Sequence, residues 1–404
     1  MRPTADDHPG RWRALAIVSA AMLLSLSAWM TATAVGAELQ DLWGLTSSQV
    51  GLLTTAVQLG FVAGTAVAAV LNLADVVRAR TLFAASAALA AVANALVLVA
   101  PGFASALLLR FLTGAFLAGV YPPGMKMIST WFRRARGMAI GTVVGALTVG
   151  KAFPYLLKAV GGASLTTVIL GASVAGGVGA LLVARSYEDG PYPFPRRPFE
   201  WARVGRILRH RETMLATCGY LGHMWELYAM WTWVPVYLAV AAGAGIGPEW
   251  VDAVAFGTIA MGGLGCVWGG LAADRMGRER VVNFAMAVSG CCCVLAGFAL
   301  SMPFAVVVLL CWVWGFFVVA DSAQFSAMVT EVAPPDSVGT ALMLQTSLGF
   351  LLTMVTIQAI PLAVEGVGWD AAFVVLALGP VAGIASILRL ARIRRVPSGA
   401  QADS

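Results

Sequence analysis

Long apolar runs separated by short polar turns fill this chain, and their lengths are those of membrane spans. A helix rising 1.5 Å per residue needs about 20 apolar residues to cross the hydrocarbon core. Twelve stretches meet that length: near Trp12–Gly36, Gln49–Leu73, Arg80–Ala100, Phe103–Thr130, Met138–Val160 and Ser164–Ala184, then Thr213–Ala241, Trp250–Ala272, Val281–Leu300, Phe304–Val329, Ser337–Val364 and Trp369–Leu390. The first could pass for a secretory signal, but it is long enough to span, and its removal would leave an odd number of helices. One long polar stretch, Arg185 to Glu212, carries Pro191, Pro193, Pro195 and Pro198 and divides the spans six and six. The pattern predicts an all-α membrane protein of twelve transmembrane helices in two six-helix bundles, 1–184 and 213–404, joined by a linker at 185–212. Within the linker Trp201, Val204 and Leu208 alternate with Arg203, Arg206 and Arg209, which predicts a short amphipathic helix on the inner leaflet.

Charge fixes the orientation. Of 23 arginines, all but Arg110 fall on one side of the twelve-span scheme, in the amino terminus, alternate loops, the linker and the tail. The opposite loops carry Glu38, Asp41, Glu249, Asp252, Glu365 and Asp370, with Lys158 the one nearby cation. The positive-inside rule therefore places both termini and the linker in the cytoplasm of a plasma (inner) membrane protein.

Composition removes the competing classes. Only 11% of residues are charged, against about 25% in a soluble domain, so the bilayer must be the solvent. The net charge of +6 sits in loops and tail, where anionic headgroups explain it better than nucleic acid, and no nucleic-acid partner is expected. All six cysteines lie within spans, and Cys291, Cys292 and Cys293 point about 100° apart on a helix, so neither a disulfide framework nor a metal site is implied. No cofactor is expected.

The two halves echo each other. Gly270-Leu-Ala-Ala-Asp274-Arg275-Met-Gly277-Arg278-Glu-Arg280 follows the eighth span, and Leu71-Asn-Leu-Ala-Asp75-Val-Val-Arg78-Ala-Arg80 follows the second, with Asp274 and Asp75 199 residues apart. Such duplication marks secondary transporters. The later stretch resembles the G-x-x-x-D-R-x-G-R loop of the major facilitator superfamily, and the resemblance covers essentially the whole chain. It implies the major facilitator fold, a monomer, and a gating latch of Asp75, Gly270, Asp274, Arg275, Gly277 and Arg278. An Asp there can cap a helix start and pair with Arg across the junction. The first copy departs at Leu71, Val76 and Arg78. Val120-Tyr-Pro-Pro-Gly-Met-Lys126, Gly150-Lys-Ala-Phe-Pro154, His223-Met-Trp-Glu-Leu-Tyr228 and Asp321-Ser-Ala-Gln-Phe325 look like the cyanate-permease-like and nitrate/nitrite-porter-like branches, which implies a small anionic or polar solute. The antiporter pattern G-x-x-x-G-P is broken, because Ala146 follows Gly145.

Ionic residues inside spans are costly and so are candidates for function. Arg110 lies on the fourth span as a salt-bridge partner or a substrate contact. Lys126 and Lys158 are close enough to an interface to snorkel. Lys151 is too deep for that. His223 and Glu226, three residues apart, share a face of the seventh span. Glu226 reads either as a proton carrier or as a static partner of Lys151 or Arg110. Asp321 on the tenth span reads as a partner of Lys126, as a cap at a helix break, or as a proton site. Gln58, Gln345 and Gln358 are expected to line a cavity, since a buried amide needs a partner. Trp29 and Tyr228 are expected on its wall, whereas Trp225, Trp231 and Trp233 could belong to an interfacial belt.

These residues predict a secondary transporter with alternating access and proton coupling, preferably symport. Its substrate site would comprise Trp29, Arg110, Lys126, Lys151, His223 and Tyr228, with Glu226 and Asp321 coupling protons. No nucleotide-binding G-x-x-x-x-G-K-[ST] occurs, so an ion gradient supplies the energy. Two competitors predict different behaviour: an efflux pump for amphipathic compounds would confer drug resistance, and a sensor with a transporter fold would bind without flux. An enzyme is not expected, because no nucleophile–base pair accompanies His223 and Glu226.

Overall fold

The computed structural model describes residues 8–71, 73–133, 135–161, 164–192 and 200–395. Eleven helices among them are long and apolar enough to cross a membrane. The first span makes the twelfth and is broken: α1 runs Arg11–Leu26, turns, and resumes at Thr31–Ala34 and Gly36–Trp43. The spans continue as α2 (Ser47–Val70), α3 (Ala79–Ala95), α4 (Phe103–Leu117 and Tyr121–Ser129), α5 (Arg136–Gly161) and α6 (Leu165–Ser186). After the linker helix Trp201–Arg209 come α7 (Arg211–Ala242), α8 (Pro248–Met276), α9 (Arg278–Ala299), α10 (Phe304–Ala320 and Ser322–Val332), α11 (Val338–Val367) and α12 (Trp369–Ala372, continuing as Leu378–Arg395).

Contacts repeat across the halves. In the first, α2 packs on α4, α3 on α6, and α1 on both α5 and α6. In the second, α8 packs on α10, α9 on α12, and α7 on both α11 and α12. The halves meet through α5 with α8 and α2 with α11, again a symmetric pair. The breaks repeat too: α4 is interrupted at Ala118–Val120 and α10 at Asp321. The break in α1 has no counterpart, because α7 runs 32 residues without interruption.

With lipid outside, small residues set how closely helices approach. Gly60 and Gly64 of α2 lie against the backbone of α4 at Phe111 and Ala115, while Gly265 and Gly269 of α8 lie against α10 at Phe316 and Ala320. Between the halves, a Cβ on Gly145 would stand 2.7 Å from the Gly263 carbonyl oxygen.

Burial shows on which side the halves close. From Thr54 to Phe61, α2 is buried except at Leu59, whereas from Val62 to Val70 it is nowhere buried. On the closed side, which bears the acidic loops, Gln358 Nε2 of α11 donates to Thr55 Oγ1 of α2 at 3.5 Å, and Lys158 Nζ of α5 lies 3.1 Å from Glu38 and 3.8 Å from Asp252 of α8. Lys158 therefore does not snorkel: it ties α5 to α8 and to the segment after α1. Toward the arginine-bearing side α2 loses its burial, while α5 and α8 stay in contact as far as Gly137 and Gly270.

Gly145→Leu is expected to lower the apparent Tm of the purified protein, since the added side chain meets backbone and overpacking costs about 1–3 kcal/mol. Gly177→Leu, where a Cβ meets nothing within 4 Å, is the control and should melt like wild type.

Candidate functional site

Between the halves lies a cavity of ≈ 70 Å³ whose wall includes Trp29, Lys151, Tyr228, Trp231, Phe61 and Phe350. Tyr121, Ser322, Ser326 and Thr346 line its half-buried approach from the arginine-bearing side. Its one ionic lining residue is Lys151, and no carboxylate lines it. The Lys151 ammonium sits 4.4 Å from the ring centroid of Trp29, 4.8 Å from Tyr228 and 5.2 Å from Trp231, and donates to the Tyr228 hydroxyl. Ring faces attract a desolvated cation, which lets this ammonium stand in the membrane without a counter-ion. Among the described residues no acceptor meets the buried indole N–H of Trp29 or Trp231. The wall thus carries one cation, neutral hydroxyls and N–H donors, and no anionic acceptor.

Phe61 and Phe350, 4.7 Å apart, join the two halves at mid-membrane, and Trp29 lies 5.2 Å from Phe61 and 5.9 Å from Tyr228. Trp29 and Tyr228 are 199 residues apart, the spacing of the repeat, as are Lys151 and Phe350. The cavity is therefore built from equivalent positions, with one charge placed on one side only.

Arg110 is not part of this wall. It is fully buried, and its guanidinium donates to the Ala28 carbonyl at 2.9 Å, to the Trp29 carbonyl, and to Asn94 Oδ1 at 2.8 Å. Those carbonyls lie in the break of α1, where the helical ladder is lost and oxygens at membrane depth need donors from elsewhere. Asn94 is held in turn by Ser173 at 2.9 Å. Arg110 therefore fixes the bend that presents Trp29, and among the described residues its partners are carbonyls and an amide rather than a carboxylate.

Glu226 does not face Lys151 or Arg110, so it is the static partner of neither. Its carboxylate accepts from Ser289 Oγ at 2.9 Å, from Cys293 Sγ at 3.3 Å and from Trp314 Nε1, all within the second half. The helix turn accounts for this: Glu226 lies two residues before Tyr228, about 200° away around α7, so only one of them can face the cavity. Asn94 and Cys293 are also 199 residues apart, so each half keeps one buried ionic group against α3 or its equivalent α9.

His223 Nδ1 lies 2.9 Å from Asp321 Oδ1 at the break of α10, and both are buried. Asp321 makes no side-chain cap on the following helix, and its partner is His223 rather than Lys126. The pair stands directly behind the cavity wall, since Met224 and Ser322, the next residues in the chain, line it. Neither His223 nor Lys126 lines the cavity, and Gln58, Gln345 and Gln358 do not either.

At the signature loop, a Cβ on Gly137, at the start of α5, would lie 3.8 Å from Asp274 Oδ1. That places the carboxylate beside the positive end of the α5 dipole, across the two halves. Arg278 turns away from Asp274, bonding Glu331 at 2.8 Å and Gln324 at 2.7 Å. Gly277 has φ +87°, which explains glycine there, and Arg275 is exposed. Gly270 lies close to the backbone at Gly137, with 3.5 Å between its would-be Cβ and that carbonyl oxygen. The side chain of Asp75 lies outside the described residues.

Comparison with known proteins agrees with this architecture. The family described as Major Facilitator Superfamily matches residues 17–357. No curated protein matches the chain. Among solved structures it is similar to a bacterial homologue of the human lysosomal transporter Spinster, in an inward-facing and occupied conformation, with TM-score 0.69 and 14% identity over 96% of this chain and 98% of that one. It is also similar to the nucleoside transporter NupG (D323A mutant), with TM-score 0.72 and 11% identity over 94% of this chain and 99% of that one.

The two buried cations should separate in a melting experiment. Arg110→Leu strands two carbonyls and Asn94, at about 1–3 kcal/mol for each unsatisfied group, and should sharply reduce the yield and Tm of folded protein. Lys151→Met exchanges a buried charge for an apolar chain of similar length and should leave Tm within a few degrees of wild type.

Proposed function

The chain belongs to the major facilitator superfamily, and we propose that it is a proton-coupled importer of a small anion across the plasma (inner) membrane. The arginine-bearing side is then cytoplasmic, and the cavity opens inward. The observation that carries the reading is the cavity's charge pattern: among the described residues its wall has one ammonium, neutral hydroxyls, two indole N–H groups that meet no acceptor, and no carboxylate. A cation held away from water attracts an anion more strongly than any group in the bulk can, and Lys151 has no internal rival for it.

The halves, 1–184 and 213–404 linked by 185–212, rock about the rings that join them, and Asp274 of α8, beside the start of α5, holds those two helices together while the cavity opens inward. The coupling proton resides on the Asp321–His223 pair, where a carboxylate and an imidazole share one contact behind the cavity wall. Glu226, enclosed by three donors, anchors α7 to α9 and α10. The protein works as a monomer, because each chain carries both halves of the cavity.

A cavity of ≈ 70 Å³ counts against amphipathic drugs, whose sites enclose about 300–1,000 Å³.

Proteoliposomes with an alkaline interior test the reading. They should accumulate a small carboxylate, nitrate, nitrite or cyanate, and Lys151→Met should reduce uptake by more than about tenfold, as loss of a buried charge contact predicts. Binding without counterflow would instead favour a sensor.

Asp321→Asn should abolish accumulation driven by the pH gradient while sparing exchange of labelled for unlabelled solute. Loss of both to the same degree would remove Asp321 from proton coupling.

A further inference from the structure

Lys151 explains why an anion would enter, and the remaining wall says which kind. Leu26, Val144, Leu147, Met224, Leu227 and Val319 complete the cavity around the aromatic cluster. Apart from Lys151 the polar groups on the wall are hydroxyls and ring N–H groups, and those of Ser322, Ser326 and Thr346 lie at the half-buried approach. At the deep end the buried Thr148 hydroxyl is turned to the Val144 carbonyl at 2.9 Å and the Tyr228 hydroxyl to Lys151, so rings and aliphatic chains make up most of a chamber with a single cation set into it.

Resting on the anion reading above, we propose that the substrate is a monocarboxylate with a short apolar tail, rather than a compact inorganic anion or a dicarboxylate. One ammonium matches one negative charge, and a second carboxylate would be buried without a counter-ion. The carboxylate's two oxygens meet two donors on adjacent groups: Lys151 Nζ, and the Tyr228 hydroxyl, which accepts from Lys151 and keeps its own proton to give. A nitrate or cyanate ion would satisfy those donors but leave the apolar chamber against polar atoms. An alkyl tail fills it and gains from every methylene it buries. The free space of ≈ 70 Å³ limits that tail to a few carbons while the cavity keeps this shape, about half the 150 Å³ of a cavity that holds benzene.

The experiment is a binding series on purified full-length protein, read by ligand-induced thermal shift and by quenching of tryptophan fluorescence. The probes are nitrate, formate, acetate, propionate, butyrate, succinate and the neutral butyramide. Affinity is expected to rise roughly fourfold per methylene from acetate to butyrate, as burial of each group predicts. Succinate and nitrate should each bind at least about tenfold more weakly than butyrate, and butyramide should fail, as should butyrate with Lys151→Met. In Phe350→Ala the gain per methylene should shrink while formate binding holds, which a general loss of folding would not produce. A flat or falling series that still depends on Lys151, or tighter binding of nitrate or succinate, overturns the apolar-tail class and leaves the anion reading standing. If no anion binds, or if butyramide matches butyrate and Lys151→Met changes neither, the anion reading itself falls.

Discussion

A charge in hydrocarbon has to be matched locally, and the protein matches three of its buried ionic groups in three ways. Arg110 is matched by backbone carbonyls, Glu226 by neutral donors, and Lys151 by ring faces and one hydroxyl. Only the last matching is easily exchanged. Carbonyls at a helix break have no substitute donor, and a carboxylate holding three donors releases none of them cheaply. A cation resting on aromatic faces gives up about 0.5–2 kcal/mol, which an incoming anion readily replaces. The accessible charge is therefore the weakly held one.

This division also accounts for the asymmetry between halves that otherwise repeat. The bend in α1 lets Trp29 lie against Lys151, and Arg110 sustains the bend. In the second half α7 is continuous, so no cation is needed beside it, and the position 199 residues after Ser27 carries Glu226 instead. Glu226 is bound to α9 and α10, which stiffens the second half around the straight helix that brings Tyr228 and Trp231 to the cavity.

Spans, linker and repeat were legible because the bilayer imposes length and charge rules on sequence directly. Lys151 stood out through its depth, Trp29 and Tyr228 were expected on the wall, and all three line the cavity. The partners of the buried ions were not. Asn94, Ser289, Cys293 and Trp314 lie on helices far from Arg110 and Glu226 in the chain, and nothing in their local pattern distinguishes them from lipid-facing or packing residues. Pairing opposite charges misled for the same reason: in lipid a neutral donor or a carbonyl serves as well as a counter-ion. Trp231, read as a candidate for the interfacial belt, lies three residues beyond Tyr228 on the same face and belongs to the cavity. The break in α1 had no proline or glycine to announce it, since Ser27 to Met30 is Ser-Ala-Trp-Met.

The rings link binding to motion. Phe61 and Phe350 lie in α2 and α11, the pair of helices that closes the acidic side, and Trp29, Tyr228 and Phe350 surround the same space that holds the Lys151 ammonium. A solute that draws Lys151 off the rings of Trp29 and Tyr228 loosens contacts shared by both halves, at the level where the halves pivot. The His223–Asp321 pair sits at the break of α10, one residue from Ser322 on the cavity wall, so a change in its charge would act on the side of the cavity facing the arginine-bearing approach. Solute and proton would then bias opposite ends of one pocket, and both would act through helices that are interrupted in this fold. Breaks at mid-membrane are costly unless they line a cavity, and each of the three here, in α1, α4 and α10, contributes a residue to its wall: Trp29, Tyr121 and Ser322.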